Sequence, residues 1–361
     1  MITRSVMVLL SFSVTTWAAV YAQETATHHW IRPADARSEA VWGIENGIVF
    51  SLWPYGLENR EQQPYGGGPR GLIRIGYQHE NVTYLVNFLA IEPVVNGKIE
   101  FSEISPSAVD GAWGKLLWAG DRPERGYYYP TAQTPGIISK VGDGDNEAEE
   151  LSVYIFMERF ASGAAPYLKL SVRSDRPEEL CIQIFHHEDS TPMDRCTITA
   201  TMGNYSRLRN LHLKSGVVKS TQLYAGFDGI DFVEKESYPM DRMLEDTDGY
   251  LWALATGDEP MDNLAAWPND SLARAKMNWK YRPPFKFTQY WKREKLAADP
   301  SLVVRVNGRA RYWSGGSRDT SRYMRIPGGP SFENFELREK YSPGQRFYYG
   351  LSRKSPEALV E

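Results

Sequence analysis

Short alternating or β-branched runs recur along almost the whole chain, and helical periodicity is nearly absent. Examples are "GIVFSLW", "GLIRIGY", "TYLVNFLAIEPVV", "LSVYIFMERF", "YLKLSVRS", "CTITATMG" and "QRFYYGLS", with Gly, Pro, Asn and Asp clustered between them. Side chains repeat every second residue in a strand and about every 3.6 in a helix, so this pattern predicts many strands joined by turns. The expected class is all-β: a large antiparallel β-sandwich, of the jelly-roll or galactose-mutarotase-like supersandwich kind, with long loops. A helix is expected only near residues 263–277. No βαβ rhythm and no repeat period is present, which argues against a dinucleotide-binding fold, a TIM barrel or a solenoid.

The first 22 residues read as an export signal. Arg4 opens them, an apolar core runs from Val6 to Val20, and Val20-Tyr21-Ala22 forms a small-residue cleavage pattern. Residues 23–361 then form one large domain, expected to be secreted or periplasmic. No later segment approaches the roughly 20 apolar residues of a membrane helix, so membrane insertion is not expected. The net charge of −4 supplies no global basic field, which argues against nucleic acid as a partner. Long loops are expected at 54–70, at 120–150 and between "RYW" and "SFENFEL". The acidic "GDGDNEAEE" lacks the Gly and terminal Glu placement of an EF-hand. No metal or cofactor is therefore expected, although a structural calcium stays open.

Two cysteines, Cys181 and Cys196, flank the turn-like "EDSTPMDR". In an exported protein this spacing favours a disulfide across a hairpin over two buried thiols. Neither the spacing nor the neighbours suggest a zinc site.

The stretch "SLVVRVNGRARYW" alternates sharply. Val304, Val306, Ala310 and Tyr312 share one parity, whereas Arg305, Asn307, Arg309, Arg311 and Trp313 share the other. A strand here would gather three guanidiniums, an amide and an indole on one face. Arginine outnumbers lysine, 27 to 14, and its planar fork suits carboxylate, sulfate or phosphate. Eleven Trp and 21 Tyr supply either core filler or platforms for flat sugar faces. With Gln289 and Trp291 of "FTQYWKRE", the Arg305 face reads as an anion- or sugar-binding cleft. The alternative is an arginine ladder paired with Glu333, Glu336 and Glu339.

Titratable groups suited to proton transfer fall in two nearby segments. "CIQIFHHED" carries His186 and His187, and "GNYSRLRNLHL" carries Tyr205, Arg207 and Arg209 on one parity. A phenol beside guanidiniums can exchange a proton because the cations stabilise phenolate. His187 as base, Tyr205 as acid and Arg207, Arg209 or Arg305 as carboxylate clamps would suit β-elimination of an acidic, uronate-containing polysaccharide. "QIFHH" and "GNYSRLR" resemble pieces of the motifs of β-jelly-roll alginate lyases, in a different order and spacing. The series "TQYW…RVNGRARYW…IPGGPSFENFEL…PGQRFYYG" resembles a group of exported bacterial β-sandwich proteins of unassigned function, which implies export and a β-rich fold.

The expected function is thus a secreted polysaccharide lyase. Two alternatives stand beside it. One is a glycoside hydrolase with a carboxylate pair drawn from Glu188, Asp189, Asp228, Asp231, Glu234, Glu333 and Glu336. The other is a glycan-binding protein without catalysis. No G-x-S-x-G elbow, H-E-x-x-H helix or P-loop is present.

Overall fold

The computed structural model describes residues 30–35, 38–52, 70–125, 134–142, 147–201, 207–257, 279–280, 284–311 and 325–361. The export signal, the 263–277 segment, almost all of the 54–70 loop, Tyr205 and Trp313 lie outside these residues.

Strands account for nearly all regular structure. The first are β1 (Trp30–Ile31), β2 (Val41–Ile44), β3 (Ile48–Leu52), β4 (Leu72–His79), β5 (Val82–Val95), β6 (Lys98–Ile99) and β7 (Leu117–Gly120). Next come β8 (Ile137–Val141), β9 (Ala148–Met157), β10 (Pro166–Arg173), β11 (Arg176–His186), β12 (Arg195–Thr201), β13 (Leu208–Leu213) and β14 (Gly216–Lys219). The last are β15 (Glu236–Pro239), β16 (Leu244–Glu245), β17 (Tyr250–Gly257), β18 (Thr288–Glu294), β19 (Val303–Arg309), β20 (Ser331–Arg338) and β21 (Gln345–Ser352). Two one-turn helices, α1 (Ser220–Leu223) and α2 (Glu357–Val360), are the only α-helical pieces among the described residues.

These strands form two antiparallel sheets packed as a sandwich. The first runs β1-β2-β3-β4-β5-β12-β20-β19-β15, and the second runs β14-β13-β17-β18-β21-β11-β10-β9-β7. One hydrophobic core joins them. Trp42, Phe50, Ile73, Ile198 and Phe335 enter it from the first sheet, and Val153, Leu170, Ile182, Trp291 and Tyr349 from the second. Alternation decides which side chains enter. On β19, Val304 and Val306 are fully buried in the core, so Arg305, Asn307 and Arg309 face outward as the sequence implied. Between Val306 and Gly308 the register shifts, because β20 bulges there and sets both Glu333 and Asn334 opposite Asn307. A Cβ on Gly308 would come within 2.6 Å of the Tyr224 ring, so only glycine lets that ring pack over the bulge.

Polar bonds cross the core as well. Asn87 Nδ2 on β5 donates to Gln289 Oε1 on β18 at 2.8 Å, and Tyr349 OH donates to the same oxygen at 2.7 Å. Trp291 Nε1 donates to Phe335 O on β20 at 2.8 Å. A buried amide or indole costs free energy unless it is paired, and these contacts pair Asn87 Nδ2, Tyr349 OH and Trp291 Nε1 while joining the sheets, whereas Gln289 Nε2 has no partner among the described residues.

Two expectations are corrected. The 120–150 segment is not one long loop, because "IISKV" pairs as β8 against β9 and the last acidic residues already belong to β9. Cys181 and Cys196 are both free thiols. Cys181 lies on β11 of the second sheet and Cys196 on β12 of the first, so the turn between them crosses from sheet to sheet instead of closing a hairpin.

Candidate functional site

The outward face of the first sheet turns polar where β5, β12, β20 and β19 run side by side. A half-open cleft of about 340 Å³ lies there. That is within the size range of small-ligand sites. Outward residues of the four strands make its floor: Glu92, Thr201, Glu333, Asn334, Asn307 and Arg309. One wall is the segment after β6, with Phe101, Glu103 and Ile104. The other is the segment before β15, with Phe232 and Lys235.

Each wall is anchored separately. In the first, the Ser102 hydroxyl donates to Gly71 O at 2.5 Å and accepts from Ile91 N at 2.9 Å, which clips Glu103 beside β5. Buried Glu158 gathers the rest of that segment, accepting from Ser107 Oγ (2.9 Å), Ala108 N (2.8 Å) and Leu116 N (2.7 Å). The second wall hangs on β19. Val233 N donates to Gly308 O at 3.1 Å and Arg309 Nη2 donates to Ile230 O at 2.7 Å. The Arg309 guanidinium also lies 4.8 Å from the Phe232 ring centroid, and Arg311 pairs with Asp228 at 3.5 Å.

Beneath the walls is a charge cluster. Lys235 Nζ lies 2.9 Å from Glu336 Oε2 and 3.3 Å from Glu92 Oε2. Thr199 Oγ1 donates to Glu336 Oε2 at 2.5 Å, and Arg305 Nη1 lies 3.2 Å from Glu336 Oε1. Burial pushes the Glu92 carboxyl well above the usual range, with the neighbouring Glu336 charge adding to it and Lys235 opposing it. Burial likewise pushes Glu103 up to about 7, against the pull of its own backbone N–H and of Lys235. Glu103 has no ion pair among the described residues, and its Oε2 is enclosed without a hydrogen-bond partner among them. The cleft therefore holds a carboxyl that exchanges its proton near neutrality, interacting with a second carboxyl that is also reluctant to ionise.

The structure places the residues singled out from sequence in different environments. Asn307 and Arg309 line the cleft, and Arg305 lies beside it on Glu336. Arg311 and Arg209 hold segments of the protein itself; Arg209 Nη2 donates to Pro327 O and, at 3.3 Å, to Gly329 O. Arg207 is buried at the start of β13, in the second sheet. Gln289 and Trp291 point the other way, into the inter-sheet core, so they line no surface cleft.

His187 follows β11 in the second sheet, away from the cleft strands. Its ring packs 4.9 Å from Tyr167 and 6.0 Å from Phe156, and burial lowers its proton affinity. It is not in the groove with Arg305, Asn307 and Arg309. Tyr205 and Trp313 fall outside the described residues. Of the carboxylates weighed from sequence, Glu333 lines the cleft and Glu336 lies under it. Glu92, Glu103 and Lys235 were missed. Glu92 had a visible signal, a single charge inside the apolar run "NFLAIEPVV", whereas Glu103 and Lys235 sit in loops whose path no local pattern encodes. Among the described residues, no His, Cys, Asp or Glu group is arranged to hold a metal ion.

Comparison with protein families, with curated proteins and with solved structures gives no match.

Proposed function

We propose that this β-sandwich is an exported glycan-cleaving enzyme that runs general acid–base chemistry in the Glu92–Glu103–Glu333 cleft. The observation that carries the reading is Glu103: a carboxyl on a cleft wall, pushed up to about 7 chiefly by burial, whose charge also raises the buried Glu92 carboxyl. Such an environment is how a carboxylic acid serves as proton donor at physiological pH. In the hydrolytic reading Glu103 protonates the glycosidic oxygen as the bond to the anomeric carbon breaks. Water then adds to that carbon and returns its proton to the carboxyl pair. Glu333, on β20, lines the cleft floor, where a carboxyl group can face the positive charge that develops on the sugar. Lys235 balances the charge left on the pair when the proton departs.

β-Elimination is the second reading, and Asn307 and Arg309 at the same cleft favour it, since both can face a uronate carboxylate. One assay separates the two. The full chain is incubated with a panel of neutral and uronate polysaccharides, and both new reducing ends and the ultraviolet absorbance of an unsaturated uronate are followed. Hydrolysis predicts reducing ends without unsaturation, and loss of at least a hundredfold in kcat in Glu103→Gln. Unsaturated product would replace hydrolysis by elimination. Full turnover in both Glu103→Gln and Glu333→Gln would remove the cleft as the catalytic centre.

A further inference from the structure

The cleft's own charges discriminate between classes of sugar. Two cations reach it, and both already serve the protein. Lys235 is shared between Glu92 and Glu336, and Arg309 holds Ile230 O and lies against Phe232. The remaining lining is rich in hydrogen-bond acceptors. Glu103 and Glu333 stand on the wall and floor, with the side-chain oxygens of Asn334, Asn307 and Thr201 beside them. A ligand carboxylate entering here would meet several glutamates and would have to displace an internal partner to gain a cation. A ligand that offers hydroxyl hydrogens needs no such exchange at Glu103 and Asn334, where Glu103 Oε2 and Asn334 Oδ1 have no hydrogen-bond partner among the described residues.

Phe232 supplies the complementary apolar element. Its residue is 52% exposed while the Arg309 guanidinium lies against its ring, so the side chain is held in place and still open to solvent. Ile104, 51% exposed, continues this apolar rim on the opposite wall. An open aromatic ring above a set of acceptors matches a sugar residue, which has an apolar ring face and a hydroxyl edge.

We infer that the cleft binds a neutral, hydroxyl-rich sugar residue stacked on Phe232 and selects against a uronate at that position. The inference rests on reading the cleft as the glycan site, and it narrows the substrate class beyond that reading.

The test is calorimetric titration of the full chain with neutral oligosaccharides (gluco-, manno-, xylo- and galacto-series) and with oligogalacturonate and oligoalginate of equal length. For any oligosaccharide that is cleaved, kcat/KM reads the same preference. At least one neutral series is expected to bind at least tenfold more tightly than either uronate series. Phe232→Ala should weaken that binding tenfold or more, and Phe232→Trp should retain it. Equal or tighter uronate binding overturns the inference, as does failure of every neutral series to bind or an unchanged affinity in Phe232→Ala. Binding of a neutral sugar without turnover would instead overturn the enzymatic reading alone, and efficient turnover of a uronate polymer would overturn the selectivity alone.

Discussion

Asn87 and Gln289 meet through the middle of the sandwich, amide to amide at 2.8 Å, although they stand on different sheets and 202 positions apart. Gln289 Oε1 also takes the Tyr349 hydroxyl, so one side-chain oxygen satisfies two buried donors. Gln289→Leu leaves both donors buried and unpaired. Stability in denaturant titration should fall by about 2–4 kcal/mol, with the affinity of the folded protein for glycan unchanged. Unaltered stability together with weakened binding would return Gln289 to a ligand-facing role.

Lys235 is the cation between two buried carboxylates, and removing it strands them. Lys235→Met should destabilise the protein by roughly 2–4 kcal/mol at pH 8, because unpaired buried charges are costly. Much of the loss should be recovered at pH 5, where Glu92, already raised by burial, can neutralise itself. Equal destabilisation at both pH values would mean that the lysine acts through packing of its stem.

The two raised carboxyls give stability a defined pH slope. Glu92 and Glu103 bind protons more tightly in the folded chain than in the unfolded one, where their ordinary value is 4.5. Their contribution is therefore fully present below about pH 4.5 and is lost as pH rises, through about 7 for Glu103. Tm should decline between pH 5 and 8 from this source, and Glu103→Gln should flatten the decline. A Tm that rises across the window identically in wild type and variant would contradict the burial of Glu103.

Cys181 and Cys196 offer a check of the sheet assignment. Reductant should leave the unfolding midpoint unchanged, and two thiols per chain should react after denaturation. Native-state labelling should be slow, since burial pushes Cys181 up to about 12 and Cys196 higher still. A midpoint that drops on reduction would require the two strands to approach.

Parity was the legible part of the sequence. "SLVVRVNGRARYW" announced which side chains of β19 turn outward, and the valines went inward as written. The task each outward arginine performs was not legible, because the partners of Arg309 and Arg311 come from residues 228–232, some 80 positions away. Local sequence places Gln289 and Trp291 with the arginine face, because nothing local indicates that β18 and β19 belong to different sheets. An indole on the same parity as the glutamine was the available hint that this face was the buried one. His187 attracted notice by chemistry alone, yet its aromatic neighbours Phe156 and Tyr167 come from two other strands. Glu92 could have been found, since a lone acid within an otherwise apolar strand has to be paid for by a partner.

The separate fastening of the two cleft walls has an evolutionary reading. One flank is secured through Glu158 and Ser102, the other through Arg309, Arg311 and Gly308, so each has its own set of anchors. Insertions or replacements in either could then remodel what is recognised while the strands beneath retain their acids, so that descendants of this scaffold would diversify flank by flank.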